Sequence, residues 1–154
     1  MAYLMRSATL DDVPILCRHR RRMFEDMGHT NAKVLDSMSK QFAEWVKVRL
    51  QNQTYLAWLA VDDANEVVAG AGLWLIDWPP HVLGSGNRRG YILNIYTEVE
   101  FRRQGLARQL TELCIDACRQ RRISIIALHA SEYGRSLYET LGFTTSNEMR
   151  LALT

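Results

Sequence analysis

Residues 91–129 constrain this chain more than any other stretch. Tyr91-Ile92-Leu93-Asn94-Ile95-Tyr96 has the composition of a strand, and Leu106, Leu110, Leu113, Cys114, Ala117 and Cys118 recur at the spacing of one helix face. Between them lies a basic turn with a glycine, Arg102-Arg103-Gln104-Gly105-Leu106-Ala107. Ser124-Ile125-Ile126-Ala127-Leu128-His129 follows as a nearly all-apolar strand, as expected of one covered on both faces. Strand, turn, helix and strand make a βαβ unit, which predicts two parallel strands in one sheet. The turn delivers the chain into a helix N-terminus, where free backbone N–H groups and the helix dipole favour an anion. Arg102, Arg103 and Arg108 add positive charge, and Gly105 permits both a positive φ and close approach of anion oxygens. A plain structural turn would use the same glycine, and neither a GxGxxG fingerprint nor a P-loop lysine motif is present.

The rest of the chain supplies a layered α/β (α+β) architecture. Residues 3–8 suit a short first strand, and Thr9 with Asp12 has capping-box spacing ahead of a helix reaching residue 25. Gly28-His29-Thr30-Asn31 breaks that pattern before a second helix over 36–51, striped by Met38, Phe42, Trp45 and Val46. Residues 54–61 and 67–76 form a hairpin by composition, and 77–90, with two prolines and three glycines, are expected to be a long loop. A last helix over 132–141 ends at Gly142, and 148–153 is expected to close the chain as a strand, with a short one from Phe143. The sum is one mixed, twisted sheet of six to seven strands with about four helices, in a single domain over 1–154.

Bulk composition narrows the function classes. At 154 residues, 47% apolar and 23% charged, the chain has ordinary globular composition. No apolar run approaches a membrane span, and residues 1–6 do not resemble a secretory signal. Three cysteines, Cys17, Cys114 and Cys118, all in expected helices, suit a reducing, cytoplasmic setting. A net charge of +2 gives no basis for a nucleic-acid or membrane partner, and Arg18, Arg20, Arg21 and Arg22 are expected to form a solvated helix face. His19, His29, His81 and His129 have no metal-ligand spacing, so no metal is expected. A homodimer is the ordinary base-rate expectation for such a domain.

Residues 94–107 resemble the cofactor motif of the GNAT superfamily of acyl-CoA N-acetyltransferases, whose core of Arg or Gln, two residues, Gly, one residue, then Gly or Ala is met by Arg102, Gly105 and Ala107. Tyr138 followed by Gly142-Phe143 resembles the family's second hallmark, and the element order fits over nearly the whole chain. The resemblance implies acetyl-CoA as co-substrate, with Arg102, Arg103, Gln104, Gly105, Leu106, Ala107 and Arg108 around its pyrophosphate. The backbone near Tyr96, Thr97 and Val99 would pair with the pantetheine arm, and strands four and five would splay to admit the thioester. Ser131 stands where family members often carry an asparagine that contacts the arm, and Gly134 where they often carry alanine; that contact is the departure.

The implied reaction moves an acetyl group to a primary amine in a ternary complex. Tyr138 is either a core tyrosine or the general acid that protonates the departing thiolate. Glu98 and His129 are alternative bases for the amine proton. Trp74, Trp78, His81, Asn94 and Met27 are candidates for the wall of the acceptor pocket, for a small molecule or a peptide. The alternative is a non-catalytic acyl-CoA-binding or sensor domain on the same scaffold. A Rossmann-like nucleotide fold is disfavoured by the short glycine motif and the two helices after the first strand.

Overall fold

Alternation between β-prone runs and turns yields five strands among the described residues, β1 (Leu4–Ser7), β2 (Tyr55–Val61), β3 (Val67–Asp77), β4 (Arg88–Thr97) and β5 (Ile126–Leu128). They lie in chain order within one sheet, antiparallel as far as β4 and parallel between β4 and β5. Among the described residues four α-helices complete the fold: α1 (Val13–Asp26), α2 (Ala32–Gln51), α3 (Leu106–Gln120) and α4 (Glu132–Thr140). The computed structural model describes residues 2–153.

Local signals set the boundaries. The Thr9–Asp12 capping box forms and opens a short 3-10 turn that feeds α1, with a proline in the first turn of the helix. Asn31 caps α2 by accepting from the Val34 amide, so the helix starts ahead of the expected residue 36. Gly142, at φ 100°, ends α4, and the Phe143 amide bonds back to the Tyr138 carbonyl. The expected long loop is shorter than 77–90, because β3 and β4 extend into it as far as the Asp77–Arg88 pair.

Two apolar clusters flank the sheet. On one side Leu106, Leu110, Cys114 and Cys118 of α3 pack on Val68, Leu73 and Ile92. On the other, Val13 and Leu16 of α1 and Phe42 and Val46 of α2 pack on Tyr55, Ala57 and Leu59. Tyr55 reaches across β3 at Gly72, where any Cβ would overlap its hydroxyl.

One irregularity sits at the centre of the sheet. Gly72 pairs with Leu93 and Gly70 with Tyr96, so Ala71 faces two residues, Asn94 and Ile95. Asn94 takes the left-handed conformation this bulge needs, at φ 58°. In consequence Ile92 and Ile95 both contact the α3 cluster, an outcome that strict alternation forbids.

The expected sheet of six to seven strands is corrected to five. Residues 144–153 form neither helix nor strand and are exposed throughout. Met149, Leu151 and Leu153 alternate as a strand would, but alternation makes a strand only when an edge is present to pair with, and these backbone groups have none among the described residues.

His19 of α1 is buried over Gly70, its ring 5.3 Å from that of Tyr96, and neither ring nitrogen has a partner among the described residues. Burial pushes its pKa down to about 4, with Glu98 acting upward and Arg18 downward. The unfolded imidazole titrates near 6.5, so between the two values the unfolded state binds the extra proton and stability rises with pH. Urea denaturation should therefore show roughly 3 kcal/mol of stability lost as pH falls from about 6.5 to 4. His19→Phe should remove that part of the slope; equal slopes in both proteins would assign the loss elsewhere.

Candidate functional site

β4 and β5 share only three rungs, Gly90–Ile126, Tyr91–Ala127 and Ile92–Leu128. β5 stops there, whereas β4 continues to Thr97. The bulge at Asn94 follows directly, so residues 93–97 present an unpaired backbone edge on the β5 side. Pairing between strands four and five therefore ends at the Ile92–Leu128 rung.

The edge leads into the basic turn. Arg103 and Gly105 are both left-handed, at φ 63° and 80°, and Gly105 is the N-cap of α3 with no side-chain hydrogen bond to the first-turn amides. Left-handed residues ahead of uncapped amides form an anion-binding concavity. A Cβ at Gly105 would meet nothing within 4 Å, so the space above the turn is open. Leu106 anchors the turn by burying its side chain in the α3 cluster, and Thr111 Oγ1 donates to the Ala107 carbonyl. Arg108 pairs with Glu112 and donates to Thr140 Oγ1, while Arg103 is exposed.

Two other polar side chains of the turn are struts. Arg102 donates from Nε to the Thr97 carbonyl at 2.8 Å and from Nη2 to Asp26 at 2.7 Å, with its guanidinium 5.5 Å from the Tyr96 ring centre. Gln104 accepts a hydrogen bond from the Tyr3 hydroxyl. Burial, then Glu98 and Asp26, raise the Tyr96 pKa, and the Asp26 hydrogen bond raises that of Arg102. Val99 stands exposed in the 3-10 turn that follows β4.

Behind β4, the arginines of α1 are spent on partners. Arg18 bonds both Glu98 oxygens, at 3.0 and 3.3 Å through Nη2. Arg20 donates to Asn94 Oδ1 at 2.7 Å, and Asn94 Nδ2 donates to the Tyr55 hydroxyl at 2.8 Å. Arg21 pairs with Asp36 and Arg22 with Glu25. In place of the expected solvated basic face, Arg18, Arg21 and Arg22 form ion pairs and Arg20 bonds the Asn94 side-chain amide; the Arg18, Arg20 and Tyr55 contacts were hidden because their partners lie far along the chain.

Tyr138 is buried on α4, edge-on to Phe143 and with Gly134 giving it room. Burial, and then Cys114, push its pKa up to about 12. His129 follows β5 where the strands part, with Nδ1 against the Tyr91 hydroxyl. Ser131 caps α4 by accepting from the Gly134 amide at 3.2 Å.

The acceptor-wall candidates do not line one cavity. Trp74 packs edge-on to Trp45 of α2, 5.3 Å between ring centres. Trp78 and His81 lie near the start of β4, around a cavity of ≈ 20 Å³ with Arg89 and Ser124. Met27 is at the opposite end, next to Asp26, and Asn94 is sealed behind β4. Arg89, whose guanidinium lies 4.1 Å from the Trp78 ring centre and pairs with Glu148, was not foreseen. Among the described residues no group of three or more His, Cys, Asp or Glu is placed to hold a metal, and no helix is long and apolar enough to cross a membrane.

The acetyltransferase (GNAT) family model matches residues 16–143, which include the bulged strand, the turn and Tyr138. The chain belongs to the acetyltransferase (GNAT) family. A GCN5-related N-acetyltransferase from Ralstonia eutropha is 33% identical, with 99% of each chain covered and a TM-score of 0.91. A predicted acetyltransferase from Clostridium acetobutylicum, solved with acetyl-CoA, is 29% identical over 99% of this chain and 96% of that one, at 0.89. Glucosamine-6-phosphate N-acetyltransferase from Arabidopsis thaliana shares the fold at 14% identity and 0.71, with 99% of each chain covered. The curated proteins contain no match. Membership makes this an acetyl-CoA-dependent transferase.

The Arg20–Asn94–Tyr55 chain holds the GNAT bulge from behind, and this can be measured. Tyr55→Phe leaves a buried Asn94 N–H without its acceptor and should destabilise the fold by about 1–3 kcal/mol in urea denaturation. No change would show that the bulge stands without it.

Proposed function

We propose that this GNAT protein transfers an acetyl group from acetyl-CoA to a primary amine by direct attack within a ternary complex. The observation that carries this reading is the continuity of two open backbone surfaces: the uncapped amides after Gly105 and the unpaired β4 edge over 93–97. The first suits a diphosphate, and the second suits an amide-bearing arm added as a strand would be. Arg103 and Arg108 supply charge at the turn, while Arg102 and Gln104 hold its shape.

The amine nitrogen forms a bond to the thioester carbonyl carbon as the carbon–sulfur bond breaks. A backbone N–H near Tyr96 and Thr97 stabilises the charge that develops on the carbonyl oxygen. Tyr138 keeps its proton at neutral pH and gives it to the departing sulfur. His129 takes the amine proton. Its position at the divergence of β4 and β5, with one ring nitrogen against Tyr91, supports it over Glu98, whose oxygens are already bonded by Arg18. Direct transfer is supported by the cysteines, since burial raises all three thiols, Cys118 to about 11, and leaves no thiolate to carry an acyl group. Ser131, occupied as a cap, can still offer its hydroxyl proton to the arm.

Thiol release from acetyl-CoA across a panel of amines and peptides tests the reading. Tyr138→Phe should lower turnover by about 10²–10⁴ with acetyl-CoA affinity nearly unchanged; unaltered turnover on a confirmed acceptor removes Tyr138 from the chemistry. Gly105→Val places a β-branched residue at φ 80°, and calorimetry should show coenzyme A affinity reduced about tenfold or more. Full affinity in that variant would refute the diphosphate assignment.

A further inference from the structure

The fold leaves two surfaces unfinished, and they complement each other. One is the outer edge of β5, which among the described residues pairs with β4 alone. The other is the segment over 144–153, which makes no backbone–backbone hydrogen bond to any described residue. Within it Met149, Leu151 and Leu153 are 98%, 81% and 87% exposed, alternating with Glu148, Arg150 and Ala152. Three large apolar side chains at i, i+2 and i+4 mark one face of a strand, and such a face standing in water promotes association.

The chain's own β5 is not the partner of this face. Phe143 packs against Tyr138 at one end of the segment, and Glu148 bonds Arg89 at 3.1 Å near the other. Arg89 precedes Gly90, whose partner Ile126 begins β5, so by Glu148 the chain has come to the start of its own β5 without forming a rung. Residues 149–153 continue from there. Arg89 is buried, and its pair with Glu148 fixes the point from which they depart.

We propose that two copies of this chain exchange residues 149–153, each segment adding as a strand to the β5 edge of the other. Every copy carries both the donor strand and the open edge, so one two-fold axis satisfies both pairs of surfaces at once and closes the assembly. The exchange pairs the exposed edge, covers the alternating apolar face, and supplies a sixth strand to each sheet. It lies beside β5 and does not depend on the acetyl-transfer reading.

Sedimentation of the intact protein at tens of micromolar should give twice the 17.7 kDa chain mass. Met149→Asp combined with Leu151→Asp, which keeps the Glu148–Arg89 pair, should shift it to the mass of one chain, with unchanged far-ultraviolet circular dichroism. Hydrogen exchange in the intact protein should protect the amides over 149–153, and in the variant they should exchange as a free chain. A single-chain mass for the intact protein overturns the proposal and directs the tail to a different partner. So does a dimer whose 149–153 amides exchange freely.

Discussion

The site depends on an asparagine held in a left-handed conformation inside the central strand. Asn94 at φ 58° inserts one residue opposite Ala71, and that insertion puts Ile92 and Ile95 against the same helix. It also coincides with the end of pairing to β5, so the open edge of β4 begins where the strand is bent. A bulge in the middle of a sheet needs compensation for its lost regularity. Here Arg20 bonds the Asn94 carbonyl oxygen and Tyr55 accepts from its amide, which leaves no polar atom of that side chain unpaired. Burial drives the Tyr55 pKa upward, so the phenol stays neutral.

The basic turn ahead of α3 depends on β4 in a second way. Basic side chains near a phosphate site are usually taken to grip the phosphate, but Arg102 is fixed on Asp26 and the Thr97 carbonyl. That arrangement ties the turn to α1 at one end and to the last residue of β4 at the other. Gln104, bonded to Tyr3, ties it to the first strand region. With Arg102 and Gln104 engaged in shape, the proposed diphosphate would meet the backbone amides and the α3 dipole, whose orientation the fold sets before any ligand arrives, beside the charge of Arg103 and Arg108. Exposed ion pairs contribute little to stability, so the value of Arg102 here is geometric.

Much of this was legible in the sequence because the signals were local. The Thr9 box, the α3 stripe, Gly105 and the Gly142 stop each act over a few residues, and each formed where expected. Parallel β4 and β5 followed from the βαβ order. What escaped was set by partners distant in sequence. Nothing in Arg18-His19-Arg20-Arg21-Arg22 reveals that Arg18 meets Glu98 or that His19 is buried while its neighbours pair. Trp74, Trp78, His81 and Met27 look alike as pocket-formers, yet Trp74 lies in β3 against Trp45, Trp78 and His81 in the loop beyond it, and Met27 at the end of α1. The last strand failed for the opposite reason: Met149, Leu151 and Leu153 carry a sound local pattern, but pairing needs an edge that this one chain does not bring to them.

Burial of Tyr138 bears on the chemistry in two opposing ways. Its raised pKa, about 12, keeps the phenol protonated, yet against a thiol near 8.5 it suggests proton transfer uphill by more than three units, roughly 5 kcal/mol. That comparison sets a buried phenolate against a solvated thiolate. On the proposed reaction the sulfur departs into the same unsolvated space, where desolvation penalises its anion for the same reason. Once both anions bear a similar penalty the difference returns toward the intrinsic gap of about 1.5 units, near 2 kcal/mol. Moving the proton at the moment of C–S cleavage also spares the buried site a free anion of either kind. A closed, apolar setting around Tyr138 is therefore compatible with acid catalysis, provided that the donor and the leaving sulfur share it.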